Sequence, residues 1–206
     1  IKIIKELKNN QTLELSWFNE TENIVKNIEK KYPVLKQIKK KKINSGKNFI
    51  DANILIEGDN YNSLSILKYT HSESIDLIYI DPPYNTGAKT WKYNNKFVTK
   101  ESDYPHSNWL SYIGNRLKIA KDLLSKSGII LVTIDDHEVH HLGLLLDQIF
   151  GEDNKLGNIC IINKADGRSD DKFLATSHEY MLVYAKNKNF ASIHELPLSE
   201  EEIKIK

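Results

Sequence analysis

A run of apolar residues ends in a group of side chains that could do chemistry on an amine. Residues 76–87 read Asp-Leu-Ile-Tyr-Ile-Asp-Pro-Pro-Tyr-Asn-Thr-Gly. Two successive prolines cannot extend a sheet ladder, so this pattern predicts a strand that ends before them. The carboxylate of Asp81, the carbonyl of Pro82 and the ring of Tyr84 would then lie at the carboxyl end of a strand, which is where open α/β sheets bind ligands.

These residue types suit a reaction at an amino group attached to a flat ring. The lone pair of such an amine is delocalised, and two acceptors aimed at its hydrogens favour a pyramidal nitrogen and disperse the developing positive charge. The Asp81 carboxylate and the Pro82 carbonyl are the two acceptors, and Tyr84 can stack on a base taken out of its helix. An ordinary turn is the alternative, because Asp-Pro and Pro-Pro are common in loops.

Composition indicates a globular chain with a basic beginning. The 206 residues are 40% hydrophobic and 28% charged, which is normal for one domain with or without an extension. Residues 1–50 hold twelve lysines and five glutamates, a net charge of +7, and the rest of the chain carries −6. We expect a basic extension at 1–47, able to lie on phosphates, and a catalytic region at 48–206. For Lys39–Lys42 alone, a solvated face is the preferred interpretation.

Cysteine content and hydropathy favour the cytoplasm. Cys160 is the single cysteine, so no disulfide can form within the chain, which suits a reducing compartment. Its apolar neighbours predict a buried strand position without a catalytic role. No stretch is long enough to span a membrane, and we expect no membrane partner.

Hydrophobic periodicity predicts alternating strands and helices. The predicted strands are Asn53–Glu57, Ile75–Ile80, Ile129–Ile134, Asn158–Ile162 and Tyr180–Tyr184, and the predicted helices are Tyr61–Tyr69, Ser107–Lys126 and Asp135–Phe150. This order indicates an α/β fold with a mostly parallel sheet and helices on both faces. Asp59 or Asn60 is expected to cap the first of these helices, and Ser107 the second.

The polar loop after Tyr84 is a candidate nucleic-acid interface. Aromatic side chains alternate there with lysines, as in surfaces that bind phosphates and unstacked bases. The residues predicted to contact nucleic acid are Asn85, Lys89, Trp91, Lys92, Tyr93 and Lys96. A loop folded on its own aromatics is the alternative, although functional loops cluster at such edges.

Three histidines have a spacing that can bind a metal on a helix. His137, His140 and His141 lie beside Asp135 and Asp136. Because an apolar stripe already occupies one face of this helix, we expect the histidines to face solvent or a partner, and we predict no metal site.

An ordered set of motifs resembles a known family. The segments that carry the resemblance are Ile54–Asn60, Asp76–Gly87, Trp109 with Arg116-Leu117, Ser127-Gly128 through Asp136, Ile149–Glu152 and Ser177–Lys186, with Leu13–Trp17 as a leader. Together they resemble the modification subunit of type III restriction-modification systems, a branch of the β-group adenine-N6 DNA methyltransferases, over about residues 48–190.

The resemblance implies a function and a set of roles. It implies a Rossmann-like methyltransferase fold and direct transfer of a methyl group from S-adenosylmethionine to the N6 amine of a flipped adenine in double-stranded DNA. Asp81-Pro82-Pro83-Tyr84 would be the catalytic tetrapeptide, and Asp59 and Asp81 would contact the cofactor. A restriction subunit with helicase and nuclease activity would be a partner, and the protein would be a homodimer.

One element of the family is absent from the sequence. The glycine-rich cofactor loop, Phe-x-Gly-x-Gly, follows the catalytic motif in this group and does not occur here. We therefore expect the chain to be an N-terminal portion of a longer protein, inactive alone. The alternatives are a methyltransferase acting on cytosine N4, RNA adenine or protein glutamine, and a non-catalytic DNA-binding subunit with the same fold.

Overall fold

The described part of the chain forms an α/β arrangement with one sheet. The computed structural model describes residues 16–17, 22–28, 30–41, 53–86, 104–163 and 173–194. The helices are α1 (Asn23–Ile28), α2 (Asn60–Thr70), α3 (Pro105–Leu123) and α4 (Val139–Phe150), and the strands are β1 (Ile75–Ile80), β2 (Leu124–Ile134), β3 (Lys155–Ile162) and β4 (His178–Ala185). Short 3-10 turns cover Lys39–Lys41 and Glu152–Asn154.

The sheet is mixed, with strand order β1-β2-β4-β3. β1 and β2 are parallel, with Ile80 opposite Val132. β2 with β4, and β4 with β3, are antiparallel. The expected α/β fold is confirmed, but the sheet of the described strands is mixed rather than mostly parallel. An apolar run indicates burial on two faces but does not give the direction of the neighbouring strand.

The core lies between the sheet and two helices. Its members come from α3, α4, β2 and β4, and they include Trp109, Leu110, Ile113, Leu117, Ile130, Val132, Ile134, Leu142, Leu145, Leu146, Leu182 and Tyr184. Paired residues of neighbouring strands point to the same side, so α3 and α4 cover one face of the sheet. On the other face of β1, Leu77 and Tyr79 are each 58% exposed.

Both ends of α3 differ from the sequence expectation. Pro105 occupies the first turn of α3 in place of the expected Ser107 cap. The helix ends at Leu123, and Leu124 already has extended dihedral angles. The predicted end of the helix at Lys126 lies within β2 instead, as does Ser127-Gly128, where the register with β1 shifts. A Cβ on Gly128 would lie 2.8 Å from the Ile75 carbonyl oxygen, so only glycine fits this close approach.

Two other expectations on strands fail. Asn53–Glu57 is not a strand; Ile54 and Leu55 are 71% and 94% exposed. A short apolar run needs a neighbouring strand to hydrogen-bond with, and periodicity alone does not provide one. Cys160 lies in β3 as expected but is exposed rather than buried, because β3 is at an edge of the described sheet. In the described residues, no helix has both the length and the hydropathy needed to cross a membrane.

Residues from the basic beginning of the chain contact α3. Glu22 and Arg116 form an ion pair at 3.0 Å, and their side chains are only 5% and 8% exposed. The Trp17 indole nitrogen donates a hydrogen bond to Ser111 at 3.0 Å. A buried carboxylate without its cation would be costly, so this pair fixes where the two segments meet. The division of the chain at residue 47 stays a prediction.

Candidate active site

The candidate site lies where two parallel strands end side by side. β1 ends at Ile80 and β2 at Ile134, and Ile80 pairs with Val132, so the segments that follow both strands share one edge of the sheet. Residues 81–86 leave β1 at this edge, and residues 135–138 lead from β2 into α4. The expected strand end before Pro82 is confirmed.

Asp81 presents an exposed carboxyl group that is oriented by a buried hydroxyl. The Thr133 hydroxyl, on β2, donates to Asp81 Oδ1 at 2.8 Å and lies 3.3 Å from the Ile80 carbonyl oxygen. Thr133 is only 4% exposed. An acceptor oriented in advance loses less freedom when it meets a substrate amine.

The two prolines are held by the core helix. Pro82 is buried and Pro83 half-buried. The indole nitrogen of Trp109, which is fully buried in α3, donates to the Pro83 carbonyl oxygen at 2.6 Å. Because proline fixes φ, one hydrogen bond to this carbonyl restricts the remaining freedom of the turn.

Tyr84 is a neutral ring that is partly packed on the core. Its hydroxyl donates to Glu179 Oε2 at 3.2 Å, and its ring packs against the core residues. Burial raises the pKa of Tyr84 well above its usual value, and the negative charges of Asp81 and Glu179 add to this, although a hydrogen bond with Thr133 opposes it. A tyrosine ring whose hydroxyl keeps its proton is uncharged and suits stacking on a base; this stacking stays a prediction.

Asn85 joins a cluster of side chains that comes from three parts of the chain. We call Asn85, His106, Glu138 and His141 the Glu138 cluster. Asn85 Nδ2 donates to Glu138 Oε1, and the Nδ1 atoms of His106 and His141 lie 2.8 Å from Oε1 and Oε2 of Glu138 respectively. The possible metal-ligand atoms of His106, His141 and Glu138 all lie within 4.8 Å of one another, so this set could hold a metal ion.

The histidines of the sequence motif separate. His141 joins Glu138, His137 Nδ1 lies 2.9 Å from Asp135 Oδ2, and His140 is exposed. The partner of His141 is instead His106, whose ring centroid is 4.7 Å away. Sequence spacing could not find this pair, because the two residues belong to different helices.

Asp59 is an N-cap. Its Oδ1 accepts hydrogen bonds from the backbone amides of Tyr61 and Asn62, at 2.8 and 3.2 Å. The expected capping role is therefore confirmed. Asp59 is exposed, and a contact with a cofactor stays a prediction.

Most of the predicted nucleic-acid loop lies beyond the part of the chain that the structure describes. Lys89, Trp91, Lys92, Tyr93 and Lys96 lie outside the described residues. Of that set only Asn85 is described, and one of its amide hydrogens is directed at Glu138.

Sequence reasoning did not assign roles to several residues that shape the site. Thr133, Glu138 and His106 are examples, and Trp109 and Glu179 appeared only within the family motifs. A hydroxyl residue near the end of an otherwise apolar strand was the available signal for Thr133. Glu138 had no such signal, since its position among histidines suggested a solvated helix start.

Comparisons with known proteins agree on one family. Residues 75–206 match the model of a family described as DNA methylase. The Mod subunit of the type III restriction-modification enzyme EcoPI, from Escherichia phage P1, is 37% identical over 175 residues, covering 73% of this chain and 27% of that protein. The type II methyltransferase M.KpnI, from Klebsiella pneumoniae, is 44% identical over 131 residues, covering 63% of this chain and 31% of that protein.

The chain thus spans about a quarter to a third of the length of these curated relatives. Among solved structures, the complex of M1.HpyAVI with SAM resembles it distantly, with 15% identity and a TM-score of 0.44 over 70% of this chain and 60% of that one.

Proposed function

The chain belongs to the DNA methylase family, and from this premise we propose that it forms part of an enzyme that methylates the N6 amine of adenine in duplex DNA. One observation carries the proposal. The Asp81–Tyr84 segment lies at the carboxyl edge of the sheet, with the Asp81 carboxylate exposed and oriented by Thr133. The Pro83 carbonyl beside it is fixed by Trp109.

The proposed chemistry follows from these groups. Asp81 accepts one hydrogen of the adenine amine and the Pro82 carbonyl accepts the other, so the nitrogen becomes pyramidal and its lone pair is available for attack. Tyr84 stacks on the base that has left the helix. S-adenosylmethionine, when bound, would supply an electrophilic methyl group, and the electron pair of the broken methyl–sulfur bond would stay on sulfur in S-adenosylhomocysteine. The methylated nitrogen loses its positive charge when the hydrogen that Asp81 holds leaves as a proton, which the exposed Asp81 carboxylate can take up and release to water.

The residues of this chain fit one part of such a cofactor site. An exposed carboxylate at the sheet edge suits an amine acceptor, and we propose that Asp59 contacts the cofactor through the oxygen that does not cap α2. The nine glycines form no Phe-x-Gly-x-Gly loop to hold the methionine part. We therefore propose that 48–206 is one portion of a catalytic domain and that further residues of the complete protein complete the cofactor site.

The names of the relatives suggest the setting. Four Mod subunits of type III restriction-modification enzymes, one of them only a probable assignment, are 34% to 42% identical to this chain. We propose that the complete protein is a modification subunit that works with a restriction subunit. We also propose that it is a homodimer and that it meets its DNA in the cytoplasm.

A second enzymatic candidate is methylation of cytosine at N4, since the family description does not name the base. The test is expression of the whole open reading frame in a host without DNA methylation, followed by mass spectrometry of the nucleosides. N6-methyladenine is expected. N4-methylcytosine would select the alternative, and no modified base would favour a non-catalytic DNA-binding subunit.

The same assay with Asp81→Ala tests the catalytic role. Methylation should disappear, whereas DNA binding in a gel-shift measurement should be retained, because phosphate contacts supply most of the affinity. Asp76→Asn is the matched control, because it removes a charge from β1 while keeping an acceptor for the Ser125 hydroxyl, 2.9 Å away. Methylation by Asp81→Ala at the wild-type rate would contradict the proposal.

A further inference from the structure

Glu138 is a fully buried carboxylate beside the candidate active site. Its side chain is 0% exposed, and the described residues place no lysine or arginine in an ion pair with it. A buried charge needs donors that replace its lost water. Asn85, His106 and His141 provide them, and each carboxylate oxygen accepts at least one hydrogen bond.

The cluster connects three segments that meet only in the folded chain. Asn85 directly follows Tyr84, His106 is in the first turn of α3, and His141 is in the first turn of α4. Glu138 is the residue before α4, and its carbonyl accepts the amide of Leu142 at 2.8 Å. The carboxylate is thus held on a rigid helix start and reaches back to the candidate catalytic segment.

Asn85 has a backbone conformation that needs support. Its φ is +56°, in the left-handed region that non-glycine residues rarely adopt, although asparagine tolerates it better than most. The chain therefore turns sharply after Tyr84, and the hydrogen bond from Asn85 Nδ2 to Glu138 fixes that turn from outside.

Hydrogen bonding explains the cluster better than metal binding. Each histidine Nδ1 lies 2.8 Å from a Glu138 oxygen, which is the usual separation of an N–H···O hydrogen bond. A carboxylate only accepts hydrogen bonds, so in this arrangement the Nδ1 atom of each histidine is the donor and is engaged by Glu138. Asn85 adds a third donor to the same carboxylate.

We propose that Glu138 is a positioning residue for methyl transfer, which acts by holding Asn85 and, through it, the Asp81–Tyr84 segment in its reactive geometry. The kinetic test of this inference rests on the proposed function. Glu138 itself need not touch the substrate. His106 and His141 hold Glu138 in place from the two helices.

The first experiment compares Glu138→Gln with wild type in the product of the whole open reading frame. Glutamine keeps the size of the side chain but replaces one of the two carboxylate oxygens by an NH₂ group. This group cannot accept the hydrogen bonds that the oxygen accepted. The single-turnover rate of methyl transfer should fall about 10- to 100-fold, with the KM for DNA unchanged, because small misplacements of reacting groups are costly. His140→Gln is the control, since this neighbouring histidine is exposed and outside the cluster. If the wild type is active and Glu138→Gln transfers methyl groups at the same rate, the role of Glu138 is overturned, whereas the proposed function is not.

A double-mutant cycle tests whether Glu138 acts through Asn85. If it does, Asn85→Ala combined with Glu138→Gln should lose no more than the worse single variant, within about twofold. Losses that multiply would mean that the two residues act independently, which contradicts the proposal.

A third experiment does not depend on methyl transfer, so it tests the inference even if the wild type is inactive. Hydrogen exchange of a peptide spanning residues 79–86 should be faster in Glu138→Gln than in wild type or His140→Gln, with the exchange of β2 unchanged. Equal exchange in all three would overturn the role of Glu138 in holding this segment. Loss of activity on chelation, restored by Zn²⁺, would also overturn it, in favour of a metal site.

Discussion

The indole nitrogen of Trp109 lies 2.6 Å from the carbonyl oxygen of Pro83, so the central helix α3 holds the turn that follows β1. Trp109 is fully buried and its ring belongs to the core. The stability of the domain and the geometry of the candidate catalytic segment therefore depend on the same side chain.

Trp109→Phe should impair both properties. Phenylalanine cannot donate a hydrogen bond, so the Pro83 carbonyl loses its partner, at a cost of about 1–3 kcal/mol in the free energy of unfolding. Chemical denaturation and single-turnover methylation of the complete protein measure the two effects. Trp17→Phe is the control, because it also removes an indole donor, to Ser111, at a place remote in sequence from Pro83. Equal rates for the two variants would show that the bond to Pro83 does not matter for transfer.

Thr133→Val should lower the rate without unfolding the protein. Valine has nearly the shape of threonine but cannot donate to Asp81 Oδ1, so the carboxylate loses its orientation. We expect about a tenfold lower single-turnover rate, since a charge-assisted hydrogen bond contributes about 1.5–3 kcal/mol. Thr133→Ser keeps the hydroxyl and should recover most of the rate. If the serine variant were as slow as the valine variant, the methyl group rather than the hydroxyl would be responsible.

Tyr84→Phe should retain much of the activity, and Tyr84→Ala should not. Phenylalanine keeps the ring for stacking, which contributes about 1–3 kcal/mol per base. It loses the hydrogen bonds of the hydroxyl, including those to Glu179 and Thr133. Transfer of a tritiated methyl group to DNA measures activity, and gel shift measures binding to the duplex. A phenylalanine variant as inactive as the alanine variant would mean that the hydroxyl, and not stacking, is the contribution of Tyr84.

Tyr184 should make stability depend on pH in the alkaline range. Burial, and then the hydrogen bond to Asp147 Oδ1 at 2.6 Å, raise the pKa of Tyr184 above its usual value near 10. The folded state therefore keeps a proton that the unfolded chain releases, so this contribution is complete below about pH 10 and is lost as the pH rises further.

Tyr184→Phe should consequently be less stable than wild type at pH 8, by about 1 kcal/mol, and the difference should shrink above pH 10. Urea unfolding of the complete protein at pH 8 and pH 10.5 provides the comparison. Tyr32→Phe, at a residue that is 75% exposed, should change the stability at neither pH. A difference that stays constant with pH would contradict the assigned pKa direction.

The sequence alone determined the local features of this protein. β1 has the predicted bounds, because two prolines end any strand they follow. Asp59 caps α2 because the side chain and the free amides are neighbours in the chain. The resemblance to DNA methyltransferases, drawn from the order of the motifs, is confirmed by the family match over residues 75–206.

Tertiary structure decided what depends on partners far apart in the chain. The antiparallel placement of β4 beside β2, the bond from Trp109 to Pro83 and the meeting of Asn85, His106 and Glu138 each join residues at least 26 positions apart. Apolar periodicity reports which faces are buried but not which element covers them, and charge patterns do not reveal a buried carboxylate. Chemical type and local turns are properties of short segments, whereas the orientation of the candidate catalytic groups is a property of the packed core.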